Sequence, residues 1–188
     1  MKRAFDVLAC ALFLLFCWPL LLIIIAAIRL QSPGPAIFAQ LRVGKGGQPF
    51  TCYKLRTMYS GTANLPTHEV QASSVTALGE YLRRFKIDEL PQLCNVLIGD
   101  MSLVGPRPCL PSQTDLVAAR RRLGVLEVRP GITGLAQVNG VDMSDANHLA
   151  EIDAQYVRTQ SLMGDFKLIM ATLRGHGVGV DQVVHSNK

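Results

Sequence analysis

VLACALFLLFCWPLLLIIIAAI, residues 7–28, decides how this chain is read. The run carries no charge. As one helix it would extend about 33 Å, enough to cross a hydrocarbon core of roughly 30 Å. It is too long for the apolar region of a signal peptide, and Ala26-Ala27-Ile28-Arg29 makes a poor cleavage site. Lys2 and Arg3 flank one end and Arg29 the other, so the positive-inside rule keeps both ends on the cytoplasmic side. Pro19 removes a backbone donor near the middle, and its ring crowds the carbonyl of Leu15. A break there leaves two arms of roughly 15 to 18 Å, each about half the depth of a bilayer. We therefore expect residues 1–30 to form a re-entrant membrane helix broken at Pro19 and residues 31–188 a cytoplasmic domain. Proline is also tolerated in spanning helices, so a simple span stays open on local physics.

The rest of the composition fits a membrane-associated globule. Of 188 residues, 49% are apolar and 18% charged, below the roughly 25% charge of ordinary soluble domains. Mean hydropathy is +0.25 and the pI about 9.1. Global disorder is excluded. A formal net charge of +5 suits phosphate-bearing partners. The five cysteines show no C-x-x-C spacing, which argues against a zinc site, a redox pair or a disulfide framework. All five read as buried structural residues.

Gln31-Ser32-Pro33-Gly34-Pro35 ends the apolar helix. Residues 36–40 and 50–55 read as a β-hairpin around Gly44-Lys45-Gly46-Gly47, which is not a P-loop. Residues 60–74 read as a polar mobile loop, and the tail from Gly175 as loose. Val75, Leu78, Leu82 and Phe85 recur at helical spacing, with Arg83, Arg84 and Lys86 opposite. Further helices are expected over 88–97 and 116–127. Another contains Leu149, Ile152 and Tyr156, capped by Ser144 or Asp145, and a last one contains Leu162, Phe166, Met170 and Leu173. Arg120-Arg121-Arg122 reads either as a solvated face or as a membrane or phosphate contact. The fold class is α+β, predominantly helical, with a short β-hairpin.

Four segments outside the apolar run could carry chemistry. In Asp88-Glu89-Leu90-Pro91-Gln92, Pro91 suits a first helical turn and places Asp88 near the N-cap. Unpaired N–H groups would keep the carboxylate ionised there, with a phosphate beside it. The same residues also suit plain capping. In Gly105-Pro106-Arg107-Pro108, two prolines make a stiff mount for a guanidinium. Arg129-Pro130-Gly131 is a second rigid arginine, and alternation in Lys54-Leu55-Arg56 puts both cations on one face. Four cations and two carboxylates make an inventory for metal-assisted phosphoryl transfer. His68, His148, His176 and His185 lack ligand or triad spacing, so acyl transfer is not supported.

These blocks, taken in order, resemble the small monotopic phosphoglycosyl transferases, the bacterial sugar transferase family. The resemblance runs through Gly34-Pro35, Phe38, Gln40, Arg42 and Gly44, then through Tyr53-Lys54-Leu55-Arg56-Thr57-Met58. It continues through Asp88 to Leu93, Asn95-Val96-Leu97, Gly99 to Pro108, and Arg129 to Val138. It implies the minimal catalytic unit and a re-entrant helix at the cytoplasmic face of the bacterial inner membrane. It implies transfer of a sugar 1-phosphate from a UDP-sugar to undecaprenyl phosphate with release of UMP, which would initiate glycoconjugate assembly. Asp88 would form a covalent phosphosugar intermediate, and Asp88 and Glu89 would hold Mg²⁺. Lys54, Arg56, Arg107, Arg129 and Gln137 are candidates for substrate contacts. The partners implied are the two substrates and membrane lipids, not nucleic acid, and the helices near 162–173 would rest on headgroups. The chain departs from the family where Trp18 precedes Pro19 in place of serine, where Lys86-Ile87 precedes Asp88, and where Gly140-Val141-Asp142-Met143 lacks an arginine. The resemblance leans toward an N-acetylated sugar. A non-catalytic anionic-lipid or nucleic-acid binding module and a metal-dependent phosphohydrolase are the alternatives.

Overall fold

The apolar run forms most of α1 (Lys2–Gln31), one continuous helix with Pro19 inside it. The computed structural model describes residues 1–59 and 74–175, so the expected mobile loop and almost all of the tail lie outside the described residues. Along the helix follow β1 (Ile37–Val43), β2 (Pro49–Leu55), α2 (Ala77–Arg84), α3 (Gln92–Ile98), β3 (Ser102–Val104), α4 (Thr114–Arg122), β4 (Gly131–Thr133), α5 (Leu135–Val138), α6 (Ala146–Thr159) and α7 (Leu162–Leu173). Helices dominate, as the sequence implies. The hairpin is antiparallel, with Phe38 opposite Lys54 and Gln40 opposite Cys52. A second pair, β3 with β4, is parallel and was not foreseen.

Both ends of α1 dock on the same body. At the start, Lys2 Nζ donates to Asp165 Oδ2 at 2.5 Å and to the Val104 carbonyl at 3.1 Å. Arg3 donates to the carbonyls of Leu97 and Met101, and Ser102 Oγ donates to the buried Asp6 at 2.8 Å. Cys10 packs with Phe50, Cys52, Leu93, Val96 and Met101. At the far end, Ile24 and Ile28 pack with Ala36, Leu55 and Leu82. Between these anchors Leu15, Phe16, Trp18, Leu20, Leu22 and Ile23 are exposed. α1 is long and apolar enough to cross a membrane by length and composition.

α2 is fixed to the hairpin by a backbone approach that only glycine permits. A Cβ on Gly79 would lie 2.1 Å from the Thr57 carbonyl oxygen. Thr76 caps α2 by accepting from Gly79 N and itself bonds Thr57 through its backbone N–H. In an exposed helix Gly→Ala would stabilise. Here Gly79→Ala is expected to cost about 1 to 3 kcal/mol, since overpacking meets backbone rather than a movable side chain. A chemical-denaturation midpoint unchanged or raised would show that α2 can retreat from Thr57.

Several local expectations are corrected. The helix expected over 88–97 divides into a 3₁₀ turn, Ile87–Glu89, and α3, with Pro91 rather than Asp88 at the N-cap. Lys86, left-handed at φ 55°, turns the chain there, and nothing in its residue type announces this. The helix expected over 116–127 ends at Arg122, because Gly124 turns left-handed before a 3₁₀ turn. Arg120 is buried against Asp153 rather than on a solvated or membrane face. All five cysteines are free, but Cys17 is half-buried and Cys94 exposed. Asp145 caps α6 as foreseen, accepting from Asn147 and His148 N–H.

Candidate active site

Three segments of the chain meet at one carboxylate pair. Asp88 and Glu89 sit in the 3₁₀ turn, each about nine-tenths buried. Lys54, on β2, donates from Nζ to Glu89 Oε1 at 2.8 Å. Arg107, between its two prolines, donates from Nη2 to the same oxygen at 2.5 Å. Asn95 holds the hairpin against α3. Its side chain accepts from Tyr53 N at 3.1 Å and donates to the Thr51 carbonyl at 2.7 Å, covering the open edge of β2.

The mount of Arg107 is stiffer than two prolines alone would make it. Arg120 Nη1 donates to the Arg107 carbonyl at 2.8 Å, and Arg42 Nη1 to the Pro108 carbonyl at 3.0 Å. Both arginines are buried. Arg42 is itself held by Gln40, and Arg120 by Asp153 Oδ2 at 2.6 and 3.0 Å. Lys2 and Tyr156 converge on the carbonyl of Val104, at the start of the same loop. The parallel pairing brings Gly105 against β4, where a Cβ on Gly131 would lie 2.0 Å from Gly105 N. Arg42 and Arg120 were missed as supports, since their partners are distant in sequence.

The two acids are driven apart electrostatically. Burial pushes Asp88 up to about 6, with the Glu89 charge beside it pushing the same way against Lys54, Arg107 and Arg83. Burial also raises Glu89, but Arg107 and Lys54 outweigh it and hold the carboxyl well below the usual range. The expectation that a helix N-terminus stabilises the Asp88 charge is thus corrected: burial dominates. Two adjacent titratable groups with opposite shifts are characteristic of a functional site. Asp88 stays largely charged at neutral pH while poorly solvated, which suits a nucleophile.

The other candidates are placed differently. Arg56 lies one residue past β2 and turns to the end of α1. There it donates to the carbonyls of Pro33 and Ser32 at 2.8 and 2.6 Å and to Ser32 Oγ at 2.9 Å. It is not brought to the carboxylates with Lys54. Arg129 donates from Nε to the Gly99 carbonyl at 2.7 Å, at the C-terminal end of α3. Gln137 donates to the Ile132 carbonyl, and its buried Oε1 has no partner among the described residues. Arg83, on α2, was not singled out from sequence, yet it is one of the three cations acting on Asp88.

Among the described residues no group of three or more His, Cys, Asp or Glu gathers as an all-protein cage. Mg²⁺ commonly uses one or two carboxylates together with substrate phosphates and waters. Asp88 and the Glu89 oxygen that bonds neither Lys54 nor Arg107 are donors of that type.

Residues 1–177 match the family model described as bacterial sugar transferase. The chain belongs to the bacterial sugar transferase family. A Caulobacter vibrioides UDP-glucose:undecaprenyl-phosphate glucose-1-phosphate transferase is 45% identical over 183 residues, covering 92% of this chain and 68% of the relative. An uncharacterized sugar transferase of Bacillus subtilis, EpsL, is 43% identical, covering 98% and 92%. An Aeromonas hydrophila UDP-N-acetylgalactosamine-undecaprenyl-phosphate N-acetylgalactosaminephosphotransferase is 38% identical, with this chain spanning 43% of its length. The resemblance read from the ordered motifs is thereby borne out at the level of family and enzyme class.

Proposed function

We propose that this sugar transferase moves a hexose 1-phosphate from a UDP-sugar to undecaprenyl phosphate, giving the lipid diphosphate sugar and UMP. The observation that carries the reading is Asp88, buried and charged, beside a Glu89 neutralised by Lys54 and Arg107. An Asp88 carboxylate oxygen attacks the sugar-linked phosphorus of the donor. The bond from that phosphorus to the bridging oxygen breaks, and UMP leaves with the electron pair. A phosphate oxygen of the lipid then attacks the same phosphorus, and the Asp88 oxygen departs as carboxylate. Splitting one displacement in two is a general use of carboxylate nucleophiles. Asp88, Glu89 and the donor phosphates would hold Mg²⁺, which supplies charge neutralisation of the diphosphate. Arg107 orients a phosphate from a fixed mount, and Lys54 balances Glu89.

The donor is a UDP-hexose. The first to test is UDP-glucose, for which the relative at 45% identity is named, with UDP-N-acetylgalactosamine second. The N-acetylated expectation thus becomes one arm of a donor panel. UMP release with undecaprenyl phosphate and Mg²⁺ present should require the lipid for sustained turnover. Sustained release without a lipid product would mean hydrolysis, and no release with any donor would leave a binding module.

We also propose that α1 is re-entrant, bending at Pro19, with the catalytic domain on the cytoplasmic face of the bacterial inner membrane. The support is that Lys2 and Arg3 at one end, and the Ile24, Ile28 and Ser32 region at the other, dock on the same body. α7 adds exposed Leu162, Met163, Phe166 and Leu173 for headgroup contact. Single cysteines at positions 4 and 30, in a background without native cysteines, should both react with a membrane-impermeant maleimide only after the cytoplasmic side is opened. Reaction of one from the outside would establish a simple span.

A further inference from the structure

Three of the first five residues of α1 bond the segment that leads into the Arg107 loop. Arg3 Nη1 donates to the Met101 carbonyl at 3.4 Å, Ser102 Oγ donates to Asp6 Oδ2 at 2.8 Å, and Lys2 Nζ donates to the Val104 carbonyl at 3.1 Å. The loop that follows is held at its carbonyls. Pro106 accepts from Gly131 N at 2.9 Å, Arg107 from Arg120 and Pro108 from Arg42. Of the donors named here for the carbonyls of Val104, Pro106, Arg107 and Pro108, Lys2 is the one that belongs to α1.

At Val104 two acceptors share two donors. Asp165, buried on α7, takes Lys2 Nζ on Oδ2 at 2.5 Å and Tyr156 Oη on Oδ1 at 2.8 Å. The Val104 carbonyl takes the same two donors, at 3.1 and 3.0 Å. A tyrosine hydroxyl has one proton to give, and its oxygen here already accepts from Gln160 Nε2 at 3.0 Å. Burial, followed by the bond to Asp165, pushes the Tyr156 hydroxyl above its ordinary range, so that proton is kept. A charged acceptor binds it more strongly than a carbonyl does, which commits it to Asp165. Lys2 has three protons and serves both acceptors. Without Lys2 the single hydroxyl proton stays with the carboxylate, and the Val104 carbonyl loses its donor three residues before Arg107.

Resting on the reading above that Arg107 orients a donor phosphate, we propose that Lys2 is a positioning residue for the donor half of the reaction, holding the Val104 carbonyl and through it the loop that aims Arg107. α1 is then part of the frame of the active site as well as a membrane element. A buried carbonyl left without a donor is costly, so its peptide turns toward another partner. That peptide is the one entering Gly105. Pro106 and Pro108 have fixed φ and pass the rotation on to Arg107 instead of absorbing it.

The test uses detergent-solubilised full-length protein with Mg²⁺, UDP-glucose or whichever donor turns over, and undecaprenyl phosphate. Lys2→Met should raise the donor KM about tenfold while the acceptor KM stays where it is. Lys2→Arg should recover part of the donor KM, since a guanidinium carries donors for both acceptors. Adding Asp165→Asn to Lys2→Met should also recover part of it, because no carboxylate then claims the Tyr156 proton and Val104 regains a donor. A lysine that only pinned α1 would lower the amount of folded protein when replaced and leave KM unmoved, since KM does not depend on the active fraction. An unchanged donor KM in Lys2→Met, an acceptor KM raised in parallel, or no recovery in either rescuing variant overturns the assignment. The reading of Arg107 fails separately, if Arg107→Gln leaves the donor KM unchanged.

Discussion

Asp88→Asn is expected to reduce transfer by at least ~10³-fold, about 4 kcal/mol of barrier, and to remove lipid-independent release of UMP. The substitution keeps the shape of the side chain and leaves the Lys54–Glu89 and Arg107–Glu89 ion pairs standing. It removes the charge and the attacking oxygen, since a neutral amide does not displace UMP from phosphorus. Stability should move the other way. The wild-type carboxylate is buried beside another carboxylate, and burial followed by the Glu89 charge pushes it up to about 6. Taking one charge from that pair relieves repulsion, so the thermal midpoint should be equal or higher. Functional sites commonly carry such destabilising arrangements. Loss of activity with a lower midpoint would instead assign Asp88 a structural role, and retained turnover would remove it from the nucleophile position.

Asp153→Ala carries the largest expected loss of stability. Arg120 and Asp153 are each only 2% exposed, and Asp153 Oδ2 takes both Nε and Nη2 of Arg120. Removing the acid strands a guanidinium between α4 and α6, which costs about 3 to 5 kcal/mol. That is a large share of the roughly 5 to 15 kcal/mol that holds a typical domain. Replacing both partners, with Arg120→Met and Asp153→Leu, should restore much of the loss, because an apolar pair leaves no unpaired charge. The double variant separates folding from function. It also deletes the Arg120 bond to the Arg107 carbonyl, so it should fold well yet transfer more slowly. Equilibrium unfolding and turnover on the same preparations measure both. A single variant costing under about 1 kcal/mol would contradict the role of the pair.

What the sequence made legible follows from the range of each physical signal. Capping is local, and Asp145 was found. The apolar run was found because its length and flanking charges are contiguous. The hairpin was found from its glycine-rich turn, although β1 runs on to Val43. β3 and β4 are three residues each, too short for alternation to show. The start of α3 was misplaced because Lys86 adopts a left-handed backbone without glycine or asparagine to signal it.

The site divides in the same way. Lys54, Asp88, Glu89 and Arg107 were each picked out as chemically suited, and the structure brings all four together. Their convergence depends on pairings across 18 and 35 positions, which no local pattern encodes. Arg56 illustrates the opposite error. Its spacing from Lys54 suggested a shared face, but the strand ends at Leu55 and the side chain turns to the carbonyls closing α1. Arg120 read as surface because its partner is 33 positions away on another helix. Arginine is seldom fully buried without a partner, and a sequence does not display the partner.

The account turns on Asp88 becoming covalently bonded to phosphorus. The most direct measurement is intact-mass and peptide mass spectrometry of the protein mixed with Mg²⁺ and its donor UDP-sugar, without lipid, then rapidly quenched. The account predicts a hexose-phosphate adduct on the peptide bearing Asp88, absent in Asp88→Asn and discharged by undecaprenyl phosphate. No adduct under conditions where added lipid is promptly converted, with UMP appearing only once both substrates are bound, would contradict it.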